Sequence, residues 1–314
     1  MEPNHPIGGY FELETYNGVE YWENVLRINT ARNCLRYLIQ TFHIRKLYVP
    51  RYTCPVVWDA IQMEHCEMEY YSVDRNFMPL VAFPKDAYIL YTNYLGVCTE
   101  NSNLLAKKYE RLIIDCSQSF YSSPVGLAAF NSARKFFGVP DGAYLFMDKA
   151  VSNELKQDHS VNRFAHLLER VESGPQPGYK DFLQNENLLC GASIKTMSKL
   201  TQKILKGISY HQCAETRRSN YAVLQESLSD LNEWKGTLAE AEVPMAYPFI
   251  CKKDGLREKL ISENIFVPTF WKGQKDTDTG EYMEHYLLPL PIDQRYGRDD
   301  MLRISECIFR NLKM

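Results

Sequence analysis

The sequence predicts an α/β protein: a large domain with a mostly parallel central sheet flanked by helices, and a smaller C-terminal α+β domain. Three observations carry this. Short apolar runs alternate with helix-like patterns between about residues 20 and 150, as in proteins whose parallel strands are joined by helices. The clearest break, Gly174-Pro175-Gln176-Pro177-Gly178, comes past the middle of the chain, and the tail beyond it mixes strands and helices differently. The length of 314 residues with 45% hydrophobic residues suffices for one large core and an appended unit. The expected division is an N-terminal arm over 1–20, a large α/β domain over 21–205 and a small α+β domain over 206–314.

The elements follow in order. Ala31, Cys34, Leu35, Leu38, Ile39 and Phe42 recur at helical spacing, with Asn29 and Thr30 as caps at the start. Lys46-Leu47-Tyr48-Val49 reads as a strand, Cys54 to Met63 as a helix, and Met68 to Val73 and Ala87 to Tyr91 as strands. Leu112-Ile113-Ile114 is the next strand, and Ala143 to Met147 another. Asn153 to Val171 reads as a helix, as does Arg217 to Leu231, with Tyr221, Leu224, Leu228 and Leu231 on one face. The tail offers a strand at Tyr247 to Cys251, a helix at Leu256 to Glu263 and a strand at Tyr286 to Pro291; the charged stretch Gln274 to Glu281 reads as a solvated loop.

Composition narrows the function. A net charge of −3 with dispersed basic residues gives no reason to expect nucleic acid or an anionic membrane surface. There is no apolar run long enough to span a bilayer, and Met1 to Pro6 does not start a secretory signal. Nine cysteines without a CxxC pair, most inside apolar stretches, are reduced core residues of a cytoplasmic protein. Seven scattered histidines give no metal site.

The chemistry centres on Asp115-Cys116-Ser117-Gln118, at the end of the apolar run Leu112-Ile113-Ile114. Seventeen residues after Asp115 comes Ser132-Ala133-Arg134-Lys135, followed by Phe136-Phe137-Gly138-Val139-Pro140-Asp141-Gly142. Ligands of parallel sheets bind outside the carboxyl ends of the strands, where Asp115, Pro50 to Thr53 and Thr92-Asn93-Tyr94 would all lie. A buried acid there and a lysine in a downstream loop suit pyridoxal phosphate: the acid keeps the pyridine nitrogen protonated and the lysine holds the aldehyde as a Schiff base. The helix start at Ala31, Arg32 and Asn33 presents unpaired N–H groups that can hold a phosphate. Each residue also has a plainer reading. Asp115 is equally a strand terminus, Lys135 beside Arg134 a solvated basic pair, Gln118 and Ser132 partners of loop backbone, and the Ala31 helix an ordinary capped helix. Arg217 and Arg218 read as a charged helix face, and Trp271-Lys272 as core plus surface.

Several words, in order, resemble the DegT/DnrJ/EryC1/StrS family, the sugar aminotransferases of fold type I in the aspartate-aminotransferase superfamily. Ala31-Arg32-Asn33-Cys34-Leu35 is similar to the family's SGTxAL segment, and Val49 to Cys54 to its P-x-x-T-aromatic segment. Asp115 to Gln118 resembles D-x-x-Q, in which Asp contacts the pyridine nitrogen and Gln lies near the ring hydroxyl. Lys135 falls at the Schiff-base lysine, and Met197-Ser198, Arg217 to Tyr221 and Leu288 to Pro291 echo later segments. The resemblance implies a homodimer with its site at the interface, pyridoxal 5'-phosphate, a keto-sugar nucleotide as acceptor and glutamate as donor. A lyase or dehydratase of the same fold and a non-catalytic ligand-binding relative are the alternatives. There are departures. Phe130 stands where a phosphate-binding serine is usual, with Ser132 as substitute, and Asp141-Gly142-Ala143 replaces GEGG. Cys54 stands where an aromatic stacks on the ring, leaving Tyr52 as a neighbour, and Ile194 replaces the partner-chain asparagine.

Overall fold

Burial on both faces of the short apolar runs decides the architecture. In a computed structural model, which describes residues 7–149, 154–272 and 278–312, these runs pair into a seven-stranded sheet. Its strands are β1 (Leu26–Ile28), β2 (Lys46–Pro50), β3 (Glu67–Tyr71), β4 (Tyr88–Thr92), β5 (Leu112–Cys116), β6 (Ala128–Asn131) and β7 (Ala143–Met147), in the spatial order β1-β7-β6-β5-β4-β2-β3. From β3 through β6 neighbouring strands run parallel, while β7 is antiparallel to both β6 and β1. Ile113, Ala128 and Phe130 face one core with Leu35, Leu38 and Val49. Their chain neighbours Leu112, Ile114 and Ala129 face the other, with Leu105 and Tyr91. Both faces are covered, as a parallel sheet requires.

Helices α1 (Ala31–Phe42) and α2 (Pro55–Met63) pack on the first face, and α3 (Thr99–Lys108) on the second. The Thr30 hydroxyl accepts from Asn33 N–H and caps α1, while Pro55 opens α2, where its missing N–H costs nothing. After β7 come α4 (Ala165–Glu172), α5 (Tyr179–Leu189), α6 (Lys199–Lys206) and the long α7 (Tyr210–Leu228). Beyond these, β8 (Ala246–Ile250) pairs antiparallel with β9 (Leu287–Pro291), accompanied by α8 (Leu256–Ser262), α9 (Asp278–Tyr286) and α10 (Arg298–Leu312). Helix α10 buries Met301, Ile304 and Ile308 at helical spacing and joins the core of α7 and β8.

Several expectations change. The α-helix expected from Asn153 is confined to α4: Asn153 lies outside the described residues, the chain around Gln157 is held extended by a bridge to Thr196 and by Asp158, and a 3-10 turn, Val161–Arg163, leads into α4. The expected loop over Gln274 to Glu281 falls partly outside the described residues, and from residue 278 onward it is helix α9. Helix α7 starts earlier than the Arg217 expected and stops at Leu228. Arg217 is no part of a charged face. It is 1% exposed, and its guanidinium donates to the Pro244 and Met245 carbonyls and to Gln294 while lying over the Phe136 ring. Burial pushes its pKa down to about 10. Among the described residues no helix is long and apolar enough to cross a membrane.

Candidate active site

The carboxyl ends of β4 and β5 and the start of α1 open onto one cavity of about 400 Å3. Thr92 and Asp115, cross-strand partners at the ends of β4 and β5, both line it. So do Thr30, Ala31, Arg32, Cys54, Gln118, Phe130, Ser132 and Lys135. The structure therefore brings together every candidate residue except Asn33. Asn33 is fully engaged elsewhere: its amide donates to Asn29 Oδ1 at 2.9 Å and to the Ser193 carbonyl at 3.0 Å, and its backbone N–H is taken by the Thr30 cap. The Ala31 and Arg32 N–H groups meet no acceptor among the described residues, and they lie in the turn that borders the cavity.

Asp115 is buried, and Ser117 N–H donates to its Oδ1 at 2.8 Å. Burial pushes the Asp115 pKa up from the ordinary carboxylate value; the Ser117 hydrogen bonds and the nearby Lys135 charge pull the other way. Gln118 has its Oε1 committed to Leu95 N–H at 2.8 Å, whereas its Nε2 is buried without a partner. An unpaired buried donor is costly, so this amide fits a ligand that brings an acceptor.

Lys135 ends a short 3-10 turn, Ala133–Lys135, between β6 and β7. That turn is tied down from behind: Ala133 N–H donates to the Gly142 carbonyl at 3.0 Å, and Gly142 N–H to the Asn29 carbonyl at 2.7 Å. Asp141, replacing the acidic residue of GEGG, is fully buried and accepts from the Ser198 N–H and hydroxyl and from Thr201. It anchors the turn to α6. The Lys135 amine is exposed, with its Nζ 5.9 Å from the centre of the Phe270 ring. Ser132 is buried beside it, and its hydroxyl caps no backbone group.

Three contributors, Phe270, Phe182 and Glu186, escaped the sequence reading, and Trp271 is more than the core residue expected. Phe270 and Trp271 form a wall, so Trp271 is both core and cavity lining. Tyr52 stays behind this wall, its hydroxyl bonded to the Phe270 carbonyl, and does not line the cavity. Phe182 and Glu186 reach in from α5, and Glu186 pairs with both Arg32 and Arg134. Helix α5 has no apolar stripe strong enough to reveal it; only the Gly174 to Gly178 break marks its approach. Phe130 is buried yet lines the cavity, and Ile194 packs against the α1 side of the core.

The donor set suits pyridoxal phosphate: an amine for its aldehyde, a carboxylate for its ring nitrogen, an amide donor for its ring oxygen, and a hydroxyl with helix-start N–H groups for its phosphate. No protein-family model and no curated protein sequence matches this chain. Solved structures do. A DegT DnrJ EryC1 StrS aminotransferase from Brucella abortus superposes with a TM-score of 0.63 at 14% identity, over 92% of this chain and 86% of that one. NtdA from Bacillus subtilis, with bound cofactor PMP, gives 0.66 at 12% identity over 92% and 73% of the two chains. The E. coli GDP-4-keto-6-deoxy-D-mannose-3-dehydratase with bound hydrated PLP gives 0.62 at 13% identity over 90% and 87%. At such identities the likeness is one of fold, and the fold is that of the DegT/DnrJ/EryC1/StrS aminotransferases.

Proposed function

We propose that the protein is a pyridoxal-phosphate-dependent aminotransferase that moves an amino group from an amino acid, glutamate in the family pattern, to a keto-sugar nucleotide. The observation that carries this reading is the convergence of Asp115, Gln118, Ser132 and Lys135 on one cavity at the strand ends, with the Gln118 amide left unpaired. Bound there, pyridoxal phosphate supplies an aldehyde for the Lys135 amine and an electron-withdrawing ring. Asp115 holds the proton on the ring nitrogen. Gln118 Nε2 donates to the ring oxygen, and Ser132 with the Ala31 and Arg32 N–H groups takes the phosphate. Cys54 fills the wall at the start of α2. Lys135 Nζ would take the proton from the amino donor's Cα and deliver it to C4′ of the cofactor.

A homodimer suits the site: Lys135 and Phe182, both at the cavity, are exposed in the single chain, and a second copy closing over them would shield the amine from water. The expected location is the cytoplasm, where the nine cysteines stay reduced; all are free thiols in the structure. The likeness to the E. coli dehydratase favours dehydration of a keto-sugar nucleotide as the second reading. Product analysis with an amino donor present or absent separates the two.

The decisive experiment is to add pyridoxal phosphate to the purified protein, record its visible spectrum, reduce with borohydride and map the labelled peptide. The label is expected on Lys135. Labelling of another lysine, or none at saturating cofactor, overturns the reading.

A further inference from the structure

Beside Lys135, the cavity wall carries more hydrogen-bond donors than its own acceptors satisfy. Arg32, in the first turn of α1, reaches Glu186 Oε2 at 3.5 Å; Arg134, next to Lys135, holds Glu186 Oε1 in a closer contact. One carboxylate thus bridges two guanidinium groups, each with about one-seventh of its side chain exposed (14% and 15%). Arg134 has a further buried Nε with no partner. Burial, with the Arg32 charge nearby, pushes the Arg134 pKa down to about 10, and its unpartnered Nε can take a further acceptor. Ser132 and the Ala31 and Arg32 N–H groups border the same space. A carboxylate offers two oxygens and one charge. A phosphate offers three terminal oxygens and nearly two charges, a better match to this set of donors.

The element that brings Glu186 is lightly held. Helix α5 buries only Asn185 and Leu189, leaving Phe182, Leu183 and Leu188 at 40%, 44% and 54% exposure. The Gly174 to Gly178 loop precedes it and Gly191 follows it. We propose that Arg32 and Arg134 form a phosphate seat that the chain's own Glu186 occupies, and that an entering phosphate group displaces the Glu186 carboxylate as α5 withdraws. Glu186 then sets how tightly the cavity holds a phosphorylated ligand. Identifying that ligand as the cofactor rests on the function proposed above; the seat itself does not.

The test uses the cofactor-free full chain and Glu186→Gln, which keeps the shape of the side chain and removes its charge. Inorganic phosphate is titrated by calorimetry, and pyridoxal phosphate and its dephosphorylated analogue pyridoxal are compared by borohydride trapping. Glu186→Gln is expected to tighten phosphate and pyridoxal phosphate by roughly tenfold, the scale of one charge-assisted hydrogen bond, and to leave pyridoxal unchanged. Adding Arg134→Gln should abolish the gain. If Glu186 is only a structural ion pair, Glu186→Gln lowers Tm and phosphate affinity stays the same or falls, which overturns the proposal. Should that variant fail to fold, Glu186→Asp shortens the reach while keeping the charge; a smaller gain in phosphate affinity supports the seat, and no gain overturns it. The two readings fail separately. Phosphate tightening without a Lys135 label sinks the cofactor assignment alone, and a Lys135 label with no response to Glu186→Gln sinks the seat alone.

Discussion

Replacing Asp141 with alanine probes the anchor behind the lysine turn. The carboxylate is fully buried; its Oδ1 accepts from the Ser198 hydroxyl at 2.9 Å and from Thr201, and its Oδ2 from Ser198 N–H at 3.0 Å and Arg163 at 3.4 Å. Hydrogen bonds to a charged group contribute about 1.5–3 kcal/mol each, but these are coupled and do not add. Ser198 and Thr201 can still bond each other at 3.0 Å and Ser198 can bond Ser160 at 2.8 Å, while Arg163 keeps Asp158 at 2.9 Å. What Asp141→Ala cannot restore is the acceptor for Ser198 N–H at the start of α6, together with the lost volume. The expected destabilisation is therefore about 3 kcal/mol, the lower end for breaking a buried charged network. In a chain this long it lowers Tm by roughly 5 °C. Thermal unfolding of the cofactor-free protein, followed by circular dichroism, measures it. A loss under about 1 kcal/mol would refute the argument, because an unpaired buried N–H alone costs that much.

Four further outcomes follow from the site. Burial raises the Asp115 pKa above its unfolded value, so the folded chain binds that proton more tightly and loses stability as pH rises from the unfolded pKa through the folded one. Asp115→Asn should accordingly raise Tm at neutral pH, with the gain fading below the ordinary carboxylate pKa; Asp115→Ala should keep the Lys135 label and lose most turnover. Ser132→Ala should weaken pyridoxal phosphate by about 1–2 kcal/mol without affecting pyridoxal, as a single hydrogen bond to phosphate implies; equal weakening of both, measured by borohydride trapping, would place the hydroxyl elsewhere. Gly142 has φ +111, and an added Cβ would lie 3.1 Å from Met197 and Thr201. Gly142→Ala should therefore cost about 1–3 kcal/mol in thermal unfolding, and a neutral result would show that the lysine turn tolerates backbone strain.

The strands that place Asp115 were readable because both faces of the sheet are covered, so each appears as a continuous apolar run. Strand β6 was not. Ala128-Ala129-Phe130-Asn131 is short and ends on a polar residue, although it pairs with the Asp115 strand and leads into the Lys135 turn. Arg217 was misread because a guanidinium on a helix normally faces solvent, and no sequence pattern announces the three acceptors that bury it. Asn33 lies away from the cavity because of partners equally hidden in the sequence. Its position in the first turn of α1 is legible, but the Ala192 and Ser193 carbonyls that take up its amide arrive from residues far along the chain. Glu186 and Phe182 were hidden because α5 is exposed over most of its surface, and an element that contributes little to the core leaves little periodic signal.

Function shows here in polar capacity left unspent rather than in apolar spacing. Gln118 keeps a free amide, the Arg32 and Arg134 side chains share one carboxylate, and Asp115 is an acid raised by its own burial. Each of these costs the fold something, and the fold could avoid each with a smaller or apolar side chain. If the proposed function holds, a single ligand would relieve all of them together: a ring cation for Asp115, a ring oxygen for Gln118 and a phosphate for the arginines. Ligand binding should then stabilise the whole chain rather than the cavity alone, because the terms it offsets are already counted against the folded state. A Tm that rises with pyridoxal phosphate in the native chain, and rises less when Asp115→Asn or Gln118→Ala has removed one of those terms, is the signature this arrangement requires.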